Sequence, residues 1–211
     1  MVKLTPMDEV HEFCLRVLGG SALADEAAAQ ARATSDGDRI ALLTAAAEAC
    51  RERAERRDGA ASTDQSGPAA AEHLGDGPPG LSASVARELA EATARLPERQ
   101  REALALRELL RLSYEQIARV LRIEPAAVAP LLARARLRLR AERRGAGPDS
   151  SGGCLERDRA LRVLACRQDS EPLSAEDDTW LLAHMAVCPA CETAHAAMLE
   201  ASVCYRAWPH G

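Results

Sequence analysis

Apolar side chains recur at spacings of three and four along most of this chain, and the β-branched residues that strands favour are sparse, so the pattern predicts helices. The clearest stretch lies in the middle. Val85, Leu89, Ala92 and Leu96 line one face over Leu81 to Arg95. Pro97 suits the first turn of a second helix, where its missing N–H costs nothing, and that helix carries Leu104, Leu106, Leu109 and Leu110. Ser113 with Gln116 three residues on forms a capping box, in which the hydroxyl takes an orphan amide and the Gln side chain reaches back. The short helix it starts, Tyr114 to Leu121, turns Ile117, Ala118 and Leu121 inward. A brief turn at Arg122 and Ile123 leads to Pro125 and a last helix, with Val128, Leu131 or Leu132, Ala135 and Leu139 facing the core. Pro130 removes a hydrogen bond within that helix and predicts a kink.

Two stretches break the helical texture. Residues 58–80 and 145–153 are rich in Gly, Pro, Ser and Asp without a repeating apolar face, and read as flexible linkers. They divide the chain into blocks at 1–57, 81–144 and 154–211. The expected fold is all-α, with small helical modules joined by linkers. Composition agrees. Alanine, the best helix former, contributes 44 of 211 residues, and only Phe13, Tyr114, Trp180, Tyr205 and Trp208 are aromatic, so thin cores are expected.

Charge separates the blocks. Residues 1–94 carry 9 basic and 16 acidic groups, residues 95–144 carry 13 and 6, and residues 145–211 carry 5 and 10. The net charge of −5 therefore hides a basic centre between acidic flanks, and a local arginine excess is the footprint of a polyanion partner. No stretch reaches the ~18 apolar residues of a membrane helix, and Met1 to Val10 has no signal-peptide core, so a cytoplasmic protein with no membrane partner is expected. No GxGxxG, GxxxxGK[ST] or HExxH run occurs, and no nucleophile–base pair or acidic cluster converges. Binding is expected, not catalysis.

Short helix, tight turn, second helix and basic tail form a DNA-binding arrangement whose second helix enters the major groove. LPERQREAL, LSYEQIARVLRI and AAVAPLLARARLRLR, with Ser113, Ile117, Leu121 and Val128 as the helix-turn-helix core, resemble region 4 of the σ70 family, specifically the extracytoplasmic-function-type sigma factors. The resemblance implies promoter DNA and RNA polymerase core, at its β-flap and β′ clamp, as partners. One departure stands out. Ala126, Ala127, Ala129, Pro130, Leu131 and Ala133 occupy places where the family presents polar groups, and methyl groups touch a thymine methyl and little more. Arg122, Arg134, Arg136, Arg138 and Arg140, with Arg143 and Arg144 beyond them, are the expected DNA contacts, to phosphates, which position a protein without carrying sequence information.

The first block resembles a shortened region 2 of the same family, with Ala24, Asp25, Glu26 and Gln30 at an acidic patch and Arg51, Arg53, Arg56 and Arg57 at a basic helix end. Only Phe13 remains of the aromatics that the family uses around promoter melting, and an extruded base needs a stacking platform worth ~1–3 kcal/mol.

In the last block, Ser174 is the expected N-cap, with Glu176, Asp177 and Asp178 in the first turn of a helix to Val187. His184 and Cys188 stand one turn apart, and Cys191 follows after two residues, which assembles three of the four ligands of a tetrahedral Zn2+ site. Cys154 or Cys166 supplies the fourth. CPAC lacks the following His of a haem attachment and the βαβ context of a thioredoxin-like site. AHMAVCPAC resembles the anti-sigma zinc-finger family, whose upstream ligand opens a preceding helix. That implies Cys154 with His184, Cys188 and Cys191.

These readings converge on a sigma-factor-like transcription regulator that binds DNA or polymerase through its helix-turn-helix. An acidic zinc-binding tail modulates it by intramolecular contact. A protein-interaction regulator without sequence-specific DNA reading, and a zinc-thiol redox sensor, are the alternatives.

Overall fold

The computed structural model describes residues 5–35, 37–61, 83–145 and 153–208. Every regular element among them is helical, as the periodicity predicts. Most of the two linker readings lies outside the described residues.

The first block forms three helices, α1 (Pro6–Leu18), α2 (Ser21–Thr34) and α3 (Arg39–Ala61). Thr5 and Asp8 make a capping box at the start of α1, and Gly19 ends it at φ 76°, a left-handed conformation that glycine adopts without a Cβ penalty. Ala24, Ala27, Ala28 and Ala31 are fully buried along α2, and their methyl-sized faces let α1 and α3 approach closely. The last helix of this block continues past residue 57, into the stretch that composition reads as linker.

The middle block holds α4 (Ala83–Ala94), α5 (Glu98–Leu104), α6 (Tyr114–Leu121) and α7 (Pro125–Arg143). A π-helical segment, Ala105–Leu109, extends α5, so the single helix expected there widens at its end. Such segments cluster at functional places, and this one carries Arg107 and Glu108. The Ser113–Gln116 capping box opens α6 as predicted. Arg122 closes it at φ 53°, taking the left-handed position that glycine usually fills. Helix α7 runs through Pro130 unbroken. The proline lies on the side where Ala126 is exposed, so the carbonyl that loses its partner remains within reach of water.

The last block comprises α8 (Arg157–Gln168), α9 (Ala175–Met185) and α10 (Pro189–Ala207). Its helices do not stand apart. One cluster of buried residues runs from Val10 through Leu106, Ile117 and Leu132 to Tyr205, joining all three blocks where separate thin cores were expected. Each large aliphatic side chain fully buried there contributes ~1.5–3 kcal/mol. The first block packs α3 against α6 and α1 against α5 and the π-helical segment, while α8 and α10 pack on α7. No described helix is long and apolar enough to cross a membrane.

Candidate nucleic-acid interface and metal centre

The predicted helix-turn-helix core is enclosed: Ile117, Leu121 and Val128 are 0 % exposed, and Ser113 caps the helix over them. Leu132, Ala135 and Leu139 continue the buried face, with Leu131 partly covered beside them. A strip along the opposite side of α7 is open. Ala126, Ala127, Arg134 and Arg138 are exposed there, and Pro130 and Leu131 are half-buried.

Residues 86–139 match the family model described as sigma-70, region 4. The match covers α4 through most of α7, and the open strip lies on the helix that reads the groove in such an arrangement. No curated protein matches the chain.

The arginines expected at this region-4-like interface divide. Arg134 lies on the open strip and makes no ion pair among the described residues. Arg138 lies there too, 3.6 Å from Glu142 one turn along. Arg122 is exposed but held 2.6 Å from Glu48 of α3. Arg140 donates to Glu200 of α10 at 2.8 Å, and Arg144 reaches the same carboxylate at 2.9 Å.

Arg136 is a correction. The charge pattern assigns it to phosphate, but it is 0 % exposed and faces the protein interior. It donates to Glu108 Oε1 at 2.6 Å and to Asp169 Oδ1 at 2.7 Å. These carboxylates hold its guanidinium charged against the opposing cost of burial, and raise its pKa. The alternation of arginines along α7 does not show which turn to water.

Asp169 and Glu171, with Ser170 between them at φ 57°, form an acidic corner against the helix-turn-helix. Asp169 accepts from the Tyr114 hydroxyl at 2.6 Å, and its backbone carbonyl accepts from Arg107. Glu171 accepts from the Tyr114 backbone N–H at 3.1 Å and from Arg107 at 3.3 Å, at the positive end of α6. Ser202 of α10 donates to Glu108 at 2.7 Å. None of these carboxylates was singled out in the sequence, where only charge complementarity between blocks hints at them.

The first block grips the other side. Arg51 Nη1 lies 3.1 Å from the buried Glu102 and Arg99 lies 3.4 Å from it. Burial pushes the Glu102 carboxyl up to about 7, against the pull of Arg51 and Arg99. In the first block, Gln30 bridges Glu52 and Arg53, and Asp25 lies 3.0 Å from His11 Nε2. Phe13 is fully buried, so it offers no stacking platform to a base.

Cys154, His184, Cys188 and Cys191 converge, their ligand atoms all within 4.8 Å of one another. His184 Nε2 lies 3.4 Å from Cys154 Sγ and 3.3 Å from Cys191 Sγ. Ligands ~2.0–2.3 Å from a tetrahedral Zn2+ stand about 3.3–3.8 Å apart; both His184–thiol separations suit the ion, while the four-residue group, spread over up to 4.8 Å, would draw in slightly to hold it. Cys166 lies outside the cluster, packed against the hydrophobic core. The Cys191 backbone N–H lowers the Cys188 thiol pKa at the start of α10, whereas burial raises that of Cys191 to about 12. Trp180, expected only as part of an apolar stripe, stacks on the His184 ring.

Proposed function

We propose that this chain is a sigma-factor-like transcription regulator. Its region-4-like helix-turn-helix engages promoter DNA and RNA polymerase core, and its C-terminal block, folded around Zn2+, adjusts that binding in cis. The observation that carries the reading is the open strip of α7, which faces outward while α8 and α10 of the C-terminal block and the other helices of the middle block pack on its other sides.

The division of arginines suggests how the adjustment works. Arg134 and Arg138 remain available for phosphates, while Glu200 takes up Arg140 and Arg144. The tail thereby lowers the number of cations offered to the backbone without covering the strip. Zn2+ supplies a structural cross-link between the ends of α8, α9 and α10, and Cys154, His184, Cys188 and Cys191 would hold it. The N-terminal block, with its one aromatic residue buried, is not expected to melt a promoter by itself.

Ala126 and Ala127, in the first turn of α7, narrow what the helix can read. A methyl group on that turn meets the thymine C5-methyl and makes no hydrogen bond to a base edge. The same surface supports a second reading, in which α7 docks a protein without reading DNA.

Fluorescence anisotropy of the full chain separates the two. A·T-rich duplexes, the same duplexes with deoxyuridine in place of thymine, and random duplexes would be compared at several salt concentrations. DNA reading requires a preference for the thymine duplex and a salt-dependent affinity. Equal affinity for every duplex would favour the protein-docking reading.

A further inference from the structure

We propose that Trp180 is a positioning residue for the metal centre, holding the His184 imidazole in the plane that aims Nε2 at the thiolates. Arg159 anchors the Trp180 ring from a neighbouring helix. The inference rests on the metal reading above and adds a residue that the ligand pattern does not contain.

A metal-bound histidine ordinarily donates its second ring N–H to a carboxylate, a carbonyl or water, which fixes both tautomer and ring orientation. His184 has its Nε2 turned to Cys154 and Cys191, and no hydrogen bond to its Nδ1 is found among the described residues. Its orientation is constrained in another way. Trp180 lies one turn earlier on α9, and its ring sits 4.8 Å from the imidazole at an interplanar angle of 19°. An offset stack of this kind restrains the imidazole plane, because rotation of the ring would sweep it into the indole face.

The indole is itself held. The Arg159 guanidinium of α8 lies 4.3 Å from its ring centroid. Arg159 in turn donates to Asp177 at 3.0 Å and to Glu176 at 3.3 Å, in the first turn of α9. Ser174 caps that turn by accepting from the Asp177 backbone N–H at 3.0 Å. The chain of contacts runs from the helix cap through a carboxylate and a cation to the aromatic ring, and from there to the ligand. It also ties α8, which follows Cys154, to α9, which bears His184, so the stack registers two ligand-bearing segments.

Zinc affinity of the full chain, measured by competition with a chromophoric chelator, tests this, together with the visible absorption of the cobalt-loaded protein. Trp180→Ala is expected to weaken zinc binding about five- to tenfold, the scale of a lost aromatic contact or outer-shell partner. It is also expected to alter the cobalt ligand-field bands. Trp180→Phe should retain affinity within about twofold and keep the spectrum, since a smaller ring still stacks. Wild-type affinity in Trp180→Ala would overturn the proposal. So would weaker binding with an unchanged cobalt spectrum, because the ring would then only stabilise the fold. Absence of zinc binding by the unaltered chain would overturn the metal reading itself.

Discussion

Arg136, in the second helix of the helix-turn-helix, and Asp169, in the C-terminal block, are joined by a 2.7 Å hydrogen bond, with the arginine fully buried. The bond ties the basic centre of the chain to its acidic end inside the core, where screening by salt is weak. Glu108 completes the arrangement from the π-helical segment, so the two blocks share one buried cation.

Replacing Arg136 by Leu is therefore expected to destabilise the protein by about 3–5 kcal/mol, because Glu108 and Asp169 would lose the buried cation that they share. Urea denaturation measures the loss. If Arg136 contacted phosphate instead, the variant would remain stable and lose about one counterion from the salt dependence of DNA binding.

Glu200→Gln should behave in the opposite way. Its ion pairs with Arg140 and Arg144 are partly exposed, and exposed pairs contribute only ~0–1 kcal/mol, so stability should change little. With both arginines released toward phosphates, the slope of log affinity against log salt should steepen by up to about 0.9 per arginine. Anisotropy titrations at several salt concentrations read the change directly.

The cysteines at and near the candidate metal centre separate by mutation. Cys154→Ser should lose bound zinc in elemental analysis, while Cys166→Ser should keep it, since Cys166 lies outside the ligand cluster. Chelator treatment of the unaltered chain should lower its melting temperature, because a structural zinc site contributes its binding energy to folding.

Glu102 makes stability depend on pH in a direction unusual for a carboxylate. Its folded value, about 7, stands above the ordinary 4.5 because burial penalises the charged form. Between those values the folded state keeps a proton that the unfolded state has released. Stability therefore falls as pH rises through the window and levels above it. Denaturation midpoints between about pH 5 and about pH 8 should show this fall, and Glu102→Gln should lessen it.

Local signals in the sequence located elements well. The Ser113–Gln116 box marked where α6 begins, and the spacing His-x3-Cys-x2-Cys marked three residues that do converge, because a cap and a helical turn each depend on residues a few positions apart. The pairing of Glu200 with Arg140 and Arg144 left no such trace, since its partners are far apart along the chain. The π-helical widening at Ala105–Leu109 was likewise illegible: the leucine spacing there suits an ordinary helix.

The sequence by itself determined the all-α character, the order of the helices, the helix-turn-helix pattern and the residues able to ligate a metal. Each follows from periodicity, capping or ligand chemistry acting over short range. Only the tertiary structure decided which arginines of α7 face water and which face carboxylates, that Cys154 joins the cluster while Cys166 packs against the core, and that three blocks share one core. Those outcomes depend on which helix faces meet, and in an alanine-rich chain many faces are small enough to meet closely. Long-range ion pairs such as Arg136–Asp169, together with the packing around them, distinguish the contacts that form.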